Sequence, residues 1–333
     1  MSFRGWRRTT LTLPDGRVVE AVCPVILSAS RATDIPAFFA TWFISRLQAG
    51  YVRWTNPFNA DQVQYVSFAD ARVIVFWTKN PKPLLRYLPQ IDATGINSYF
   101  QFTVNDYENE GLEPNVPPLT ERIEVFKRLS SEIGPKRVIW RFDPLLLSDS
   151  LTIDVLLDRI THIAEQLQGH TRKLVISFAD IESYKKVRDN LAKHPAQYRE
   201  FTPGLMRDFG ERLSDMNKQW GFEIATCAEA IDLEPYGIKH NRCIDDDLMV
   251  ELFSHDAALM NFLGYEPDLL QGSDRPYFKD KGQRKACGCI VSKDIGMYNT
   301  CHHLCVYCYA NASAKAVENN QKKHNPESDT IIS

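Results

Sequence analysis

The chain has 333 residues, 44% of them hydrophobic and 24% charged, enough to bury a sizeable core and more than an ordinary small domain contains. A formal net charge of -3 gives no electrostatic drive towards nucleic acid, although a local basic groove is compatible with that total. No apolar run is long enough to span a bilayer and the charged opening MSFRGWRRTTLTLPDG lacks a signal-peptide core, so a cytoplasmic location with no membrane partner is expected.

In chain order, TTLTLPDGRVVEAV predicts a strand or hairpin, and a repeating rhythm of β-branched runs and longer helical patterns follows. Strands are expected at 24–30, 71–80, 98–105, 136–144, 173–180 and 222–229. Between them, helical patterns at 35–50, 117–134, 150–169 and 203–221 each stop at a glycine. Residues 51–68 read as an inserted extended element. Near-continuous apolar strands alternating with helices predict an α/β fold with a parallel sheet, and no G-x-G-x-x-G follows the first strand.

The polar residues favour a (β/α) TIM-type barrel, full or partial. Ser28, Ser30 and Arg31, Thr78, Lys79 and Asn80, Thr103 and Asn105, Arg141 and Asp143, Ser177 and Asp180, and Thr226 and Glu229 all fall at C-terminal strand ends. Strands often end in polar turns, but six repetitions match the barrel face on which active sites are built. The expected organisation is an N-terminal hairpin (1–23), a barrel body (24–245) and a helical, cysteine-rich segment (246–333) that completes the barrel.

Of eight cysteines, five crowd into the 22 residues from 287 to 308. In a reducing compartment such crowding points to metal or redox chemistry, whereas scattered Cys23 reads as a buried filler. TCHHLCVYCYANAS carries Cys301, Cys305 and Cys308 at C-x-x-x-C-x-x-C spacing, with Tyr307 before the third. A [4Fe–4S] cluster has four ligand positions, so three thiols on one loop leave one iron open to a non-protein ligand. The other four, Cys227, Cys243, Cys287 and Cys289, make a complete thiolate set for an auxiliary cluster or for zinc. His302 and His303 are expected as loop surface or supporting groups rather than ligands.

The three-cysteine loop resembles the signature of the radical S-adenosylmethionine (SAM) superfamily, whose members carry it after the first barrel strand. Here it follows CIVSKDIG near the C-terminus, so the resemblance implies a circularly permuted radical SAM barrel whose last strand and loop close against the N-terminal strand. It also implies a SAM-binding [4Fe–4S] cluster, SAM as co-substrate, and an electron donor such as flavodoxin or ferredoxin. A closer resemblance, over most of the chain, is to the bacterial family DUF1848, on LSASRATDIPAF, FWTKNP, RFDP, TCAE and CGCIVSKDIGMYNTCHHLCVYCYAN in that order. The family name supplies no reaction. CHHLCVYCYA is also similar to the cluster loop of spore photoproduct lyase and its relatives, which makes DNA-lesion repair an alternative.

Within the radical SAM reading, Arg141 and Asp143 are candidates for the SAM carboxylate, for substrate polar groups, or for structural pairing across the barrel mouth. Lys79 is a candidate charged anchor for substrate, with snorkelling at a strand end as the alternative, Ser30 is a rim contact, and Glu229 a partner for the SAM amine or ribose; Arg31 and Asp34 bracket a helix start and are candidates too, the alternative for Asp34 being a helix cap. The alternative from another class is a zinc-stabilised, non-catalytic binding protein in which Cys287, Cys289, Cys305 and Cys308, or nearby His302 and His303, make a tetrahedral site.

Overall fold

The computed structural model of the protein describes residues 3–57, 59–265 and 277–333. The chain opens with an antiparallel hairpin, β1 (Arg7–Thr12) and β2 (Val18–Cys23), whose turn is closed by Leu13 and Arg17. It passes through β3 (Ile26–Ala29) and two helices, Ile35–Phe38 and Ala40–Ala49, and returns as a second hairpin, β4 (Tyr51–Asn56) and β5 (Asn59–Ser67). The two hairpins join into one four-stranded sheet of order β1-β2-β5-β4. The expected extended insertion at 51–68 is therefore the partner of the opening hairpin.

The main sheet adds β6 (Val73–Thr78), β7 (Asn97–Thr103), β8 (Val138–Leu145), β9 (Lys173–Phe178), β10 (Glu223–Thr226), β11 (Lys239–His240) and β12 (Lys293–Asp294). With β3 it forms an eight-stranded sheet of order β11-β10-β9-β8-β7-β6-β3-β12, parallel at every pairing. Each of the six longer predicted runs became a strand. The order is sequential except that the last strand in the chain lies beside the first, with Lys293 opposite Leu27 and Asp294 opposite Ser28.

Alternation along these strands separates two cores. Leu27, Ile74, Phe76, Phe100, Phe102, Trp140, Leu174 and Ile176 pack under the long helices, against residues such as Trp42, Phe126, Ile160 and Leu213. Those helices form where the sequence signals them. Thr152 and Thr202 accept the first-turn amides of Val155 and Leu205, and Gly50 ends the second helix in the left-handed region. The opposite strand positions, Ile26, Val73, Val75, Tyr99, Ile139 and Val175, pack against Ile244, Leu248, Met249, Phe253 and Ile290.

The parallel α/β sheet is as expected, but of the full or partial barrel expected no closed form is present among the described residues. Edge strands β11 and β12 contain two residues each and are not paired to one another. The face that a closed barrel would fill with its own side chains is instead covered by the helices Asp246–Phe253 and Ala257–Leu263 and by residues 287–290. What the sheet supplies is a row of C-terminal strand ends facing one way, and the candidate site is built there. No described helix is long and apolar enough to cross a membrane.

Candidate functional site

The three-cysteine loop begins where β12 meets β3. The Asp294 carboxylate accepts from Ser28 Oγ and from the Arg31 amide, both at 2.9 Å, which ties the two strand ends together. Two residues on, the chain runs so close to Ser30 that a Cβ at Gly296 would overlap the Ser30 hydroxyl. Thr33 Oγ1 then meets Thr300 Oγ1 at 2.7 Å and donates to the Met297 carbonyl at 2.6 Å. Beyond Thr300 the loop crosses the strand ends, held by Asn311 Nδ2 on the Cys301 carbonyl (2.8 Å) and by the Val306 amide on the Leu112 carbonyl (2.9 Å).

Two buried polar contacts fix the loop from beneath. The Lys79 ammonium lies 2.8 Å from Glu113 Oε1 and 3.0 Å from the Tyr307 hydroxyl, which itself donates to Glu113. Asn105 Nδ2 reaches both Glu113 and Tyr307 at 3.1 Å. Burial by itself would raise the Glu113 pKa, but Lys79 and Arg122, with hydrogen bonds from Lys79 and Tyr307, bring it down to about 2. Lys79 is thus an anchor for the loop, and its ammonium is taken up by protein groups.

Asp34 caps its helix as expected, accepting from the Ala37 amide at 3.0 Å. Its other oxygen accepts from the Lys79 amide at 2.7 Å and meets His303 Nε2 at 2.8 Å. His303, expected as a loop-surface or supporting group, takes the supporting place: it is buried at 2% exposure, with its second nitrogen 3.4 Å from the Asn115 carbonyl. His302 Nε2 is engaged by Gln321 Oε1 at 2.8 Å.

The thiols of Cys301, Cys305 and Cys308 lie close enough for their charges to act on one another, and burial pushes all three upward, Cys301 to about 12. The loop turns through left-handed backbone at Asn299 and Leu304, with φ 59 and 54. A [4Fe–4S] cluster held at three corners fits this donor set: three thiols share one loop, and both neighbouring histidines are occupied elsewhere.

Cys227, Cys243, Cys287 and Cys289 come together from three separate stretches of chain. Cys227 and Cys243 have their sulfurs 3.5 Å apart, and side-chain contacts continue from Cys243 to Cys289 and from Cys289 to Cys287. Gly288 permits the approach, since a Cβ there would lie 3.0 Å from Arg242 Cγ and 3.3 Å from the Asn241 carbonyl. Arg141, expected from sequence either to meet SAM or substrate or to pair with Asp143 as structure, pairs with Asp143 and points to this group. Its Nη1 is 2.9 Å from Cys243 Sγ and 3.1 Å from Gln101 Oε1, while its Nε is 3.0 Å from Asp143. Asp143 also accepts from Ser177, at the place where the β8–β9 register slips. Arg31 and Arg141 each lie 5.3 Å from the Trp77 ring, one guanidinium from each neighbouring part of the site.

A cleft of about 820 Å³ opens at the ends of β9 and β10, lined by Asp180, Tyr184, Met206, Arg207, Glu229 and Arg284. Glu229 Oε1 accepts from the Phe178 amide at 2.9 Å, and burial pushes its carboxyl up to about 7. The Tyr184 ring lies 5.8 Å from that of Tyr309, the neighbour of Cys308, so one wall of the cleft touches the three-cysteine loop. Another wall, at Ala228 and Arg284, adjoins Cys227.

Sequence reasoning did not single out Glu113, Gly296, Asp294 or Arg284. Gly296, directly after a predicted strand and before the cysteines, carried a usable signal for close backbone approach; Glu113 sits in a stretch without periodicity.

The architecture and site define an α/β protein with a cysteine-rich loop seated on the C-terminal ends of a parallel sheet. The chain belongs to the family described as Domain of unknown function (DUF1848), whose profile matches residues 26–310. No curated protein matches. Among solved structures, a Bacteroides thetaiotaomicron protein that carries the name alpha-L-fucosidase is similar over 59% of this chain and 75% of its own, at 9% identity and a TM-score of 0.26.

Proposed function

We propose that the protein is a radical SAM enzyme in which Cys301, Cys305 and Cys308 hold a [4Fe–4S] cluster with one iron left for SAM. The observation that carries this reading is the seating of a C-x-x-x-C-x-x-C loop on the ends of parallel strands, directly after a strand that lies beside β3. Counted from β12, the main sheet runs β12, β3, β6 to β11 without interruption, the order of a permuted partial (β/α) barrel. The bound cluster would deliver one electron to the SAM sulfonium, releasing methionine and a 5′-deoxyadenosyl radical.

The chain's own residues hold and shield that chemistry. Tyr307, Lys79 and Glu113 clamp the loop from below, and Thr33 with Gly296 fixes its start. The cleft beside Tyr309 is lined by Glu229, Arg207 and the Arg284–Asp180 ion pair, groups of both signs suited to a co-substrate or substrate that carries both. Anaerobically reconstituted and reduced protein should give an EPR signal whose g-values shift on addition of SAM. A signal unchanged by SAM, in protein with a full iron complement, would count against this reading.

A further inference from the structure

We propose that Cys227, Cys243, Cys287 and Cys289 hold a second, coordinatively complete [4Fe–4S] cluster, with Arg31 and Arg141 as its charge partners, in the wall of the cleft beside Cys227. The inference stands on residues separate from the three-cysteine loop and does not depend on SAM cleavage. Four thiols from three distant segments converge on one buried point, and Gly288 makes that approach possible. In a packed core four hydrophobic fillers have no reason to select sulfur.

The surroundings are those of thiolates. Three N–H groups point at these sulfurs: Arg141 Nη1 (2.9 Å) and Asn241 Nδ2 (3.1 Å) on Cys243, and the Ile244 amide (3.4 Å) on Cys289. A neutral thiol is a poor acceptor, whereas a metal-bound thiolate accepts such bonds strongly and has its potential tuned by them. Arg141 is 3% exposed, and Arg31 Nη2 is buried without a hydrogen-bond partner. Buried cations require compensating negative charge. Asp143 serves Arg141 in part, and a four-thiolate cluster, which carries net negative charge, would serve both.

The test uses the full chain, purified and reconstituted anaerobically with iron and sulfide. Wild type should hold about eight irons, and Cys301→Ala/Cys305→Ala/Cys308→Ala about four, in a cluster whose EPR signal does not respond to SAM. Cys287→Ala/Cys289→Ala should lose the other half while keeping the SAM-responsive signal. Arg141→Gln, which removes a cation from beside the cluster, should shift the reduction potential of the retained cluster in the triple variant to a more negative value. If either multiple variant fails to fold, the wild-type Mössbauer spectrum and iron count carry the decision. Iron lost from the Cys301→Ala/Cys305→Ala/Cys308→Ala variant but retained by Cys287→Ala/Cys289→Ala, one zinc bound by the four thiols, or a Cys227–Cys243 disulfide in place of metal would each overturn the proposal.

Discussion

A single methyl group is enough to test how the cysteine loop is seated. At Gly296 an added Cβ would overlap Ser30 Oγ and press on Thr33 Oγ1, in the turn that joins β3 to the first helix. Gly296→Ala should therefore displace the loop and lower the iron bound at the three-cysteine site, while circular dichroism of the sheet and helices stays as in wild type. Glu113 poses a harsher question, because Lys79 and Arg122 both depend on it. Glu113→Gln leaves two buried cations short of a counter-charge, which costs on the order of 3–5 kcal/mol and should appear as a lower denaturant midpoint. Lys293, on β12, is pushed down to about 8 by burial, against the pull of Asp294, with its ammonium 3.4 Å from the centre of the Trp54 ring. A base with a lowered folded pKa is unfavourable while charged, so the penalty is full below about pH 8 and disappears as pH rises towards 10.5. Wild-type thermal stability should accordingly rise between pH 8 and 10 relative to Lys293→Met, and parallel profiles for the two proteins would contradict that account.

At the level of elements, the chain's last residues close the four-stranded sheet against the helical layer. The Trp42 indole donates to the Ser328 carbonyl at 3.0 Å, the Arg53 amide to the Asp329 carbonyl at 2.7 Å, and Ile331 is 2% exposed. Ile331→Ala should lower stability by about 2–5 kcal/mol without changing iron content, as measured by calorimetry and metal analysis. Contacts of this kind were invisible in the sequence, since residues 325–333 have no periodicity and their partners lie almost three hundred residues away. The long helices and the six longer strands were legible because apolar spacing and glycine stops are local signals. Strand β12 was placed only through the cysteines behind it, because two residues cannot display a period. Arg141 shows the same limit at the site: the sequence puts it at a strand end, but which sulfur its guanidinium meets depends on how the CGC segment folds back over the inner face.

For the molecule as a whole, the main sheet keeps sequential order while its last strand takes the place beside β3, so the three-cysteine loop reaches the strand ends from the far end of the chain. The long reach explains why the loop is clamped at so many points, through Asp294, Gly296, Thr33, Asp34–His303 and Lys79–Glu113–Tyr307. A site assembled from both ends of the chain should lose its loop before its sheet on mild heating, which hydrogen exchange at 297–311 compared with 138–145 would detect. In the proposed function this clamped loop would hold the cluster that splits SAM. Reconstituted protein, reduced anaerobically and incubated with SAM, should form 5′-deoxyadenosine, and Cys305→Ala should form none. Product formation unaffected by Cys305→Ala, or no product from wild type with its full iron complement, would contradict it.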